Sequence, residues 1–157
     1  MKTNYNKNAK DFIITGLGVT EHKTKCIPKY PDEILHADVV KLNSDQCFED
    51  MEGTTIFPNK WDKLKKLGFC SRGENGEVAL SGDSGGPTVW IDKSDNKAYI
   101  VGVISQGGDF QKLCKLKPNQ QHSKATISAT VSKKVSKWIR KITKGDGGTE
   151  NNCCVLQ

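Results

Sequence analysis

A mainly-β barrel or sandwich with one C-terminal helix is what this sequence predicts, on three observations. Short β-prone apolar runs recur along the chain, bounded by Gly-, Asn- or Asp-containing loops. Two of them, Thr88-Val89-Trp90-Ile91 and Tyr99 to Ser105, flank the polar turn Lys93 to Lys97 and read as a hairpin. Only near the end does the apolar period change. There Val131, Val135, Trp138, Ile139 and Ile142 recur at helical spacing, with Lys and Arg between them.

The elements come in this order. Phe12-Ile13-Ile14-Thr15 is a short strand ended by Gly16-Leu17-Gly18, and a polar loop runs from Thr20 to Asp32. Ala37 to Leu42 is strand-like. Ser44 is placed to cap a short helix through Cys47. Trp61 to Leu67 fits a helical turn or a loop equally. The Gly-rich stretch Gly73 to Gly76 leads to Ser81-Gly82-Asp83-Ser84-Gly85-Gly86-Pro87, and a further strand runs from Thr126 to Val131. The terminal helix is expected to bury one apolar stripe. Residues 1–11 are a polar extension, 12–144 the folded unit, and 145–157 a disordered tail.

Composition bounds the function. At 157 residues, 35% hydrophobic and 27% charged, the chain suits one domain with a packed core. No apolar run approaches the ~18 residues of a membrane span, and the N-terminus lacks the apolar core of a secretory signal. The formal net charge of +6 comes with no recognition motif, so we read a solvated basic surface and no nucleic-acid partner. Six cysteines at wide spacings, with no CxxC pair, fit disulfides and no metal; no cofactor is expected.

The chemistry lies in Gly82-Asp83-Ser84-Gly85-Gly86-Pro87. A serine hydroxyl is a weak nucleophile, so a catalyst must expose it, pair it with a base and stabilise the oxyanion. Flanking glycines permit the sharp turn and expose backbone amides. Here the amides of Gly82 and Ser84 are the candidate oxyanion donors, and losing one such donor costs about 3 kcal/mol. The same residues fit the Gly-x-Ser-x-Gly elbow, which requires a strand before the serine and a helix after it. A loop precedes Ser84, and Pro87 with a β-prone run comes after it, so the elbow fails on context.

These six residues resemble the nucleophile motif of the trypsin/chymotrypsin family. Further landmarks fall in the family's order. Ile14-Thr15-Gly16-Leu17-Gly18 resembles Ile-Ser-Gly-Trp-Gly, with Leu17 for Trp. Leu42 to Cys47 resembles the start of the intermediate helix, and Phe69-Cys70 the Phe-Cys before the specificity loop. Val103-Ile104-Ser105-Gln106-Gly107 resembles Ile-Val-Ser-Trp-Gly, and Val135 to Ile139 the terminal helix. The resemblance covers the second barrel of a two-barrel fold. It implies one six-stranded antiparallel Greek-key barrel with a C-terminal α-helix.

By resemblance, Ser84 is the nucleophile and Asp83 the activation-pocket carboxylate, which in the family pairs with an ammonium freed by cleavage. The family's general base, a histidine held by an aspartate, belongs to the first barrel. None of His22, His36 and His122 matches that base. The resemblance therefore implies a serine endopeptidase half, inactive alone, whose partners are a peptide or protein substrate or a separate first barrel supplying His and Asp. The alternative is a non-catalytic protease-like binding or regulatory module. Val78 takes the pocket-floor position, Ser105 and Gly107 the pocket wall, and no Arg or Lys preference is expected at Val78. Cys47 and Cys70 match a family disulfide, and Cys26 with Cys114 is a further candidate pair. Leu80 stands where the family has a pocket cysteine. Extracellular localisation is expected by resemblance. Cys154-Val155-Leu156-Gln157 also fits a prenylation pattern, which we read as chance, so no membrane partner is expected.

Overall fold

Residues 12–20, 27–51, 65–94, 96–108, 125–143 and 155–156 are described by a computed structural model. Alternation along β1 (Phe12–Gly16) sends Phe12 and Ile14 into the interior. β2 (Leu35–Lys41) pairs with it antiparallel, Phe12 opposite Val39, and leads into α1 (Ser44–Met51). β3 (Gly68–Gly73) runs antiparallel to β2 and to β6 (Thr126–Thr130). β4 (Pro87–Asp92) and β5 (Lys97–Gln106) form the expected hairpin. α2 (Lys133–Thr143) comes after β6, and the two-residue β7 (Val155–Leu156) pairs with the start of β5.

The strand order is β4-β1-β2-β3-β6-β5, and a β4–β5 pairing closes the ring. Two three-stranded meanders, β1 to β3 and β4 to β6, are thus stitched edge to edge by β1–β4 and β3–β6. Closure leaves these six strands no common free edge. The expected six-stranded antiparallel barrel with a terminal helix is what forms. β7 lies outside the ring, on a part of the tail expected to be disordered.

Phe12, Ile14, Val39, Phe69, Ala79, Trp90, Val101 and Ile104 fill the barrel. The Phe12 and Phe69 rings meet at 6.1 Å and the Trp90 and Tyr99 rings at 5.8 Å. Burying each such large side chain stabilises by about 1.5–3 kcal/mol. A second cluster outside the barrel joins Leu42, Cys47, Met51, Cys70, Ala125 and Ile127. It docks α1 on β3, where the Cys47–Cys70 disulfide spans a Cα–Cα distance of 5.7 Å.

Two expectations are corrected and one open reading is resolved in part. Ser44 is the first helical residue rather than the cap. Asn43 is the cap: its Oδ1 accepts from Gln46 N at 2.9 Å, and Gln46 Oε1 accepts from Asn43 N at 3.1 Å. That reciprocal pair is a capping box. Of the ambiguous 61–67 segment, 65–67 form a helical turn and 61–64 lie outside the described residues. The stripe of α2 is not buried either. Small Ser136 is 3% exposed, while Val135, Trp138 and Ile142 are 41%, 63% and 56% exposed. These three members of the stripe face outward.

The cap assignment predicts a contrast. Asn43→Ala should cost about 1 kcal/mol in urea unfolding, and Ser44→Ala no more than about 0.5 kcal/mol.

Candidate active site

The turn carrying Ser84 is built from four backbone hydrogen bonds. Asp83 N donates to Leu80 O at 3.1 Å and Gly86 N to Asp83 O at 2.9 Å, which fold the turn on itself. Gly85 N donates to Ile104 O, and Ile104 N to Gly86 O, each at 2.8 Å, which lash it to β5. The turn needs φ of +99° at Gly82 and +89° at Gly85, which glycine adopts without strain. Ser84 is exposed at its tip. Among the described residues the amides of Gly82 and Ser84 make no hydrogen bond.

Asp83 is not left unpaired. Its Oδ1 accepts from Gly18 N at 2.7 Å and its Oδ2 from Leu80 N at 2.9 Å. Gly16 and Gly18 lie so close that a Cβ on either would run into the carboxylate. Val19 N adds a bond to Ser81 O at 2.8 Å. The end of β1 and the serine turn are therefore one unit. Beside it, the Tyr30 ring edge lies 3.7 Å from where a Cβ on Gly82 would stand.

In the segment before the turn, Val78 is half-buried and Ala79 buried. Ser105 is exposed and Gly107 half-exposed. Gly108 N donates to Ala79 O at 2.9 Å, and a Cβ on Gly107 would run into that carbonyl. Ala79 N donates to buried Thr126 Oγ1 at 2.9 Å. The turn leading into Val78 is held by Glu77, whose carboxylate accepts from Asn75 N at 3.0 Å and Asn75 Nδ2 at 3.1 Å. Hydrogen bonding from its own backbone amide, and then from the Asn75 side chain, outweighs desolvation and holds Glu77 below the ordinary 4.5.

The fold thus holds Gly82, Asp83 and Ser84 in one turn, and the Gly108–Ala79 bond ties the segment after Val78 to the one after Ser105. His36 is exposed on β2 opposite Thr15, and no described histidine bonds Ser84. His22, His122, Cys26, Cys114 and Cys154 lie outside the described residues. Among the described residues no His, Cys, Asp and Glu cluster could hold a metal. Sequence reasoning missed the roles of Gly16, Gly18, Thr126 and Gly108. The Gly-x-Gly at the end of β1 is the one signal that pointed there.

The chain matches the Trypsin family over residues 2–143. It is 33% identical over 100 residues to mannan-binding lectin serine protease 1 of Mus musculus, covering 64% of this chain and 13% of that protein. It is 25% identical over 147 residues to the clotting factor G beta subunit of Tachypleus tridentatus, covering 92% of this chain and 42% of that one. The chain therefore spans less than half the length of either relative.

This geometry makes two outcomes measurable. Gly18→Ala should destabilise by about 1–3 kcal/mol, because the Asp83 carboxylate must move, whereas Leu17→Ala on the exposed neighbour should stay within about 0.5 kcal/mol; urea unfolding reads both. Asn75→Ala should raise the Glu77 pKa toward 4.5, read by carboxyl NMR. A depressed carboxyl pKa stabilises above the unfolded value and loses that contribution as pH falls through the folded one. The stability gap between wild type and variant should therefore shrink on acidification below about 4.5.

Proposed function

The chain belongs to the Trypsin family, and on that premise we propose that it is the nucleophile-bearing barrel of a serine endopeptidase that takes its general base from a separate first barrel. The observation that carries this reading is the serine turn: an exposed Ser84, the Gly82 and Ser84 amides without a hydrogen bond among the described residues, and Asp83 bonding the turn to β1. In the proposed reaction the base takes the Ser84 hydroxyl proton as Oγ attacks a peptide carbonyl. The amides of Gly82 and Ser84 donate to the oxyanion. The proton then passes to the leaving amine, and water releases the acyl group by the same steps.

A further feature supports a first-barrel partner. Val135, Trp138 and Ile142 on α2, and Leu17, Ile34 and Leu35 on the barrel, are exposed. Apolar surface of that extent favours a covering partner. The substrate class is a peptide or protein. Val78 offers no counter-ion to a cationic side chain, so small or apolar residues are favoured over Arg and Lys. The Cys47–Cys70 disulfide fits an extracellular, oxidising compartment. A second reading, a non-catalytic protease-like binding module, is favoured by the Gly108–Ala79 hydrogen bond, which ties the flanking segments to each other.

Labelling with a fluorophosphonate, read by intact mass with Ser84→Ala as control, separates the readings. The chain alone should stay unlabelled and become labelled once a first barrel bearing His and Asp is added. Labelling of the chain alone, lost in the control, would place the base within this chain. No labelling in either mixture would favour the binding module. In the reconstituted pair, esters of Ala, Val or Leu should exceed those of Arg or Lys by about a hundredfold in kcat/KM, since an unpaired buried charge costs about 3 kcal/mol or more.

A further inference from the structure

Where β2 gives way to α1, beside the start of β3, the molecule holds a cavity of about 180 Å³. No residue of the serine turn lines it. Its polar lining is Lys41, Asn43, Ser44 and Lys65, and among the described residues no Asp or Glu joins them. Its apolar lining includes Leu42, Ile127 and the Cys47–Cys70 disulfide. The chain path explains how two lysines meet there. Lys41 ends β2, and Lys65 opens the helical turn that leads into β3. Lys41 Nζ lies 5.5 Å from the centre of the Phe69 ring, a cation–π contact that orients the ammonium, and Phe69 also lines the cavity. The helix end is not the attraction, because Asn43 and Gln46 already cap it. On α1, Asp50 is engaged by Arg72 Nη1 at 2.9 and 3.0 Å and does not line the cavity.

We propose that this cavity binds a small organic monocarboxylate, an aryl or short alkyl acid, with its carboxylate on Lys41 and Lys65 and its apolar part against Leu42, Ile127 and the disulfide. Charge decides the sign of the ligand. Two cations with no acid in the lining favour an anion, and lysine is a compact point charge that meets a carboxylate through charge-assisted bonds. Size decides the class. A volume of 180 Å³ is below the ~300 Å³ at which drug-sized sites begin, so the ligand is about as large as one aromatic side chain. An inorganic anion would meet the lysines but leave the apolar lining uncovered. A neutral arene would cover that lining and take water from the ammonium groups without replacing it. A ligand seated there touches β2, α1 and β3 at once, so its binding favours the docked helix.

Titration of the isotope-labelled full chain with benzoate, read by amide NMR shifts, tests the site and does not depend on Ser84 reacting. Benzoate should bind with a Kd of about 1 mM, within reach of a ligand of this size. It should move the amides of Lys41 to Ser44 and of Gly68 to Cys70, and leave those of the serine turn in place. Benzamide has the ring without the charge, and sulfate the charge without the ring, so each should bind about tenfold more weakly or worse. Lys65→Gln and Lys41→Gln should each weaken benzoate about tenfold. Should Lys41→Gln fail to fold, Lys65→Gln, on an exposed side chain, decides. Benzamide or sulfate binding as tightly as benzoate would overturn the site. So would benzoate affinity unchanged in Lys65→Gln, shifts centred on the lysines of α2, or no shift at about ten times the expected Kd.

Discussion

The Asp83 carboxylate is the interaction on which the site depends. It sits between two segments far apart in sequence and accepts one amide from each, Gly18 and Leu80. A carboxylate hydrogen-bonded to backbone amides forms charge-assisted bonds, stronger than neutral ones. They explain three local features together. Gly16 and Gly18 lack side chains because the carboxylate occupies that space. The serine turn keeps its positive φ angles because β1 holds it from outside. The segment Val78 to Leu80 is fixed at Leu80 by the same carboxylate that ties the serine turn to β1. The resemblance leads one to expect a carboxylate waiting for an ammonium. In this structure two amides already satisfy it in part, so the turn's shape does not require that cation.

Barrel closure supplies the rest. β1 and β4 pair along Phe12 to Ile14, which carries the Gly16–Gly18 loop to the strand that begins just after Ser84. β5 pairs with β4 and β6, bringing Ile104 to the serine turn and Gly107 to Ala79. Local bonds fold the serine turn, and long-range pairings bring the other segments to it. Its precision comes from the packed interior of Phe12, Phe69 and Trp90, since loops anchored on rigid strands hold geometry better than loops anchored on one another.

How much of this is legible in the sequence depends on range. β1, β2, the β4–β5 hairpin and β6 announce themselves as apolar runs. β3 does not: Gly68-Phe69-Cys70-Ser71-Arg72-Gly73 has one aromatic and no β-branched residue, and becomes a strand because β2 and β6 flank it. The α1 cap has two good candidates in Asn43 and Ser44, and Gln46, three residues after Asn43, decides between them. Ser84 and its turn are legible because chemistry demands particular residues in a fixed local order. The Ala79–Thr126–Gly108 contacts are not, because no local pattern records a hydrogen bond between residues 47 positions apart.

The terminal helix marks the limit most clearly. Its period identifies an apolar stripe correctly, yet periodicity says nothing about what covers that stripe. Ser136 is buried and Ile139 half-buried, while Trp138 is open. A helix with Lys and Arg on one side and an uncovered apolar face on the other has two physical outcomes: association through that face, or loss of register against the barrel. Ser132 opposes the second. Its hydroxyl accepts from Val135 N at 3.3 Å, and its carbonyl accepts from Ser136 N at 2.9 Å, which fixes the helix start and so the direction in which Trp138 points. The exposed stripe is therefore held in place, and a face held in place is one that a partner can meet repeatedly in a single geometry. That is the physical ground for expecting a partner to cover this face.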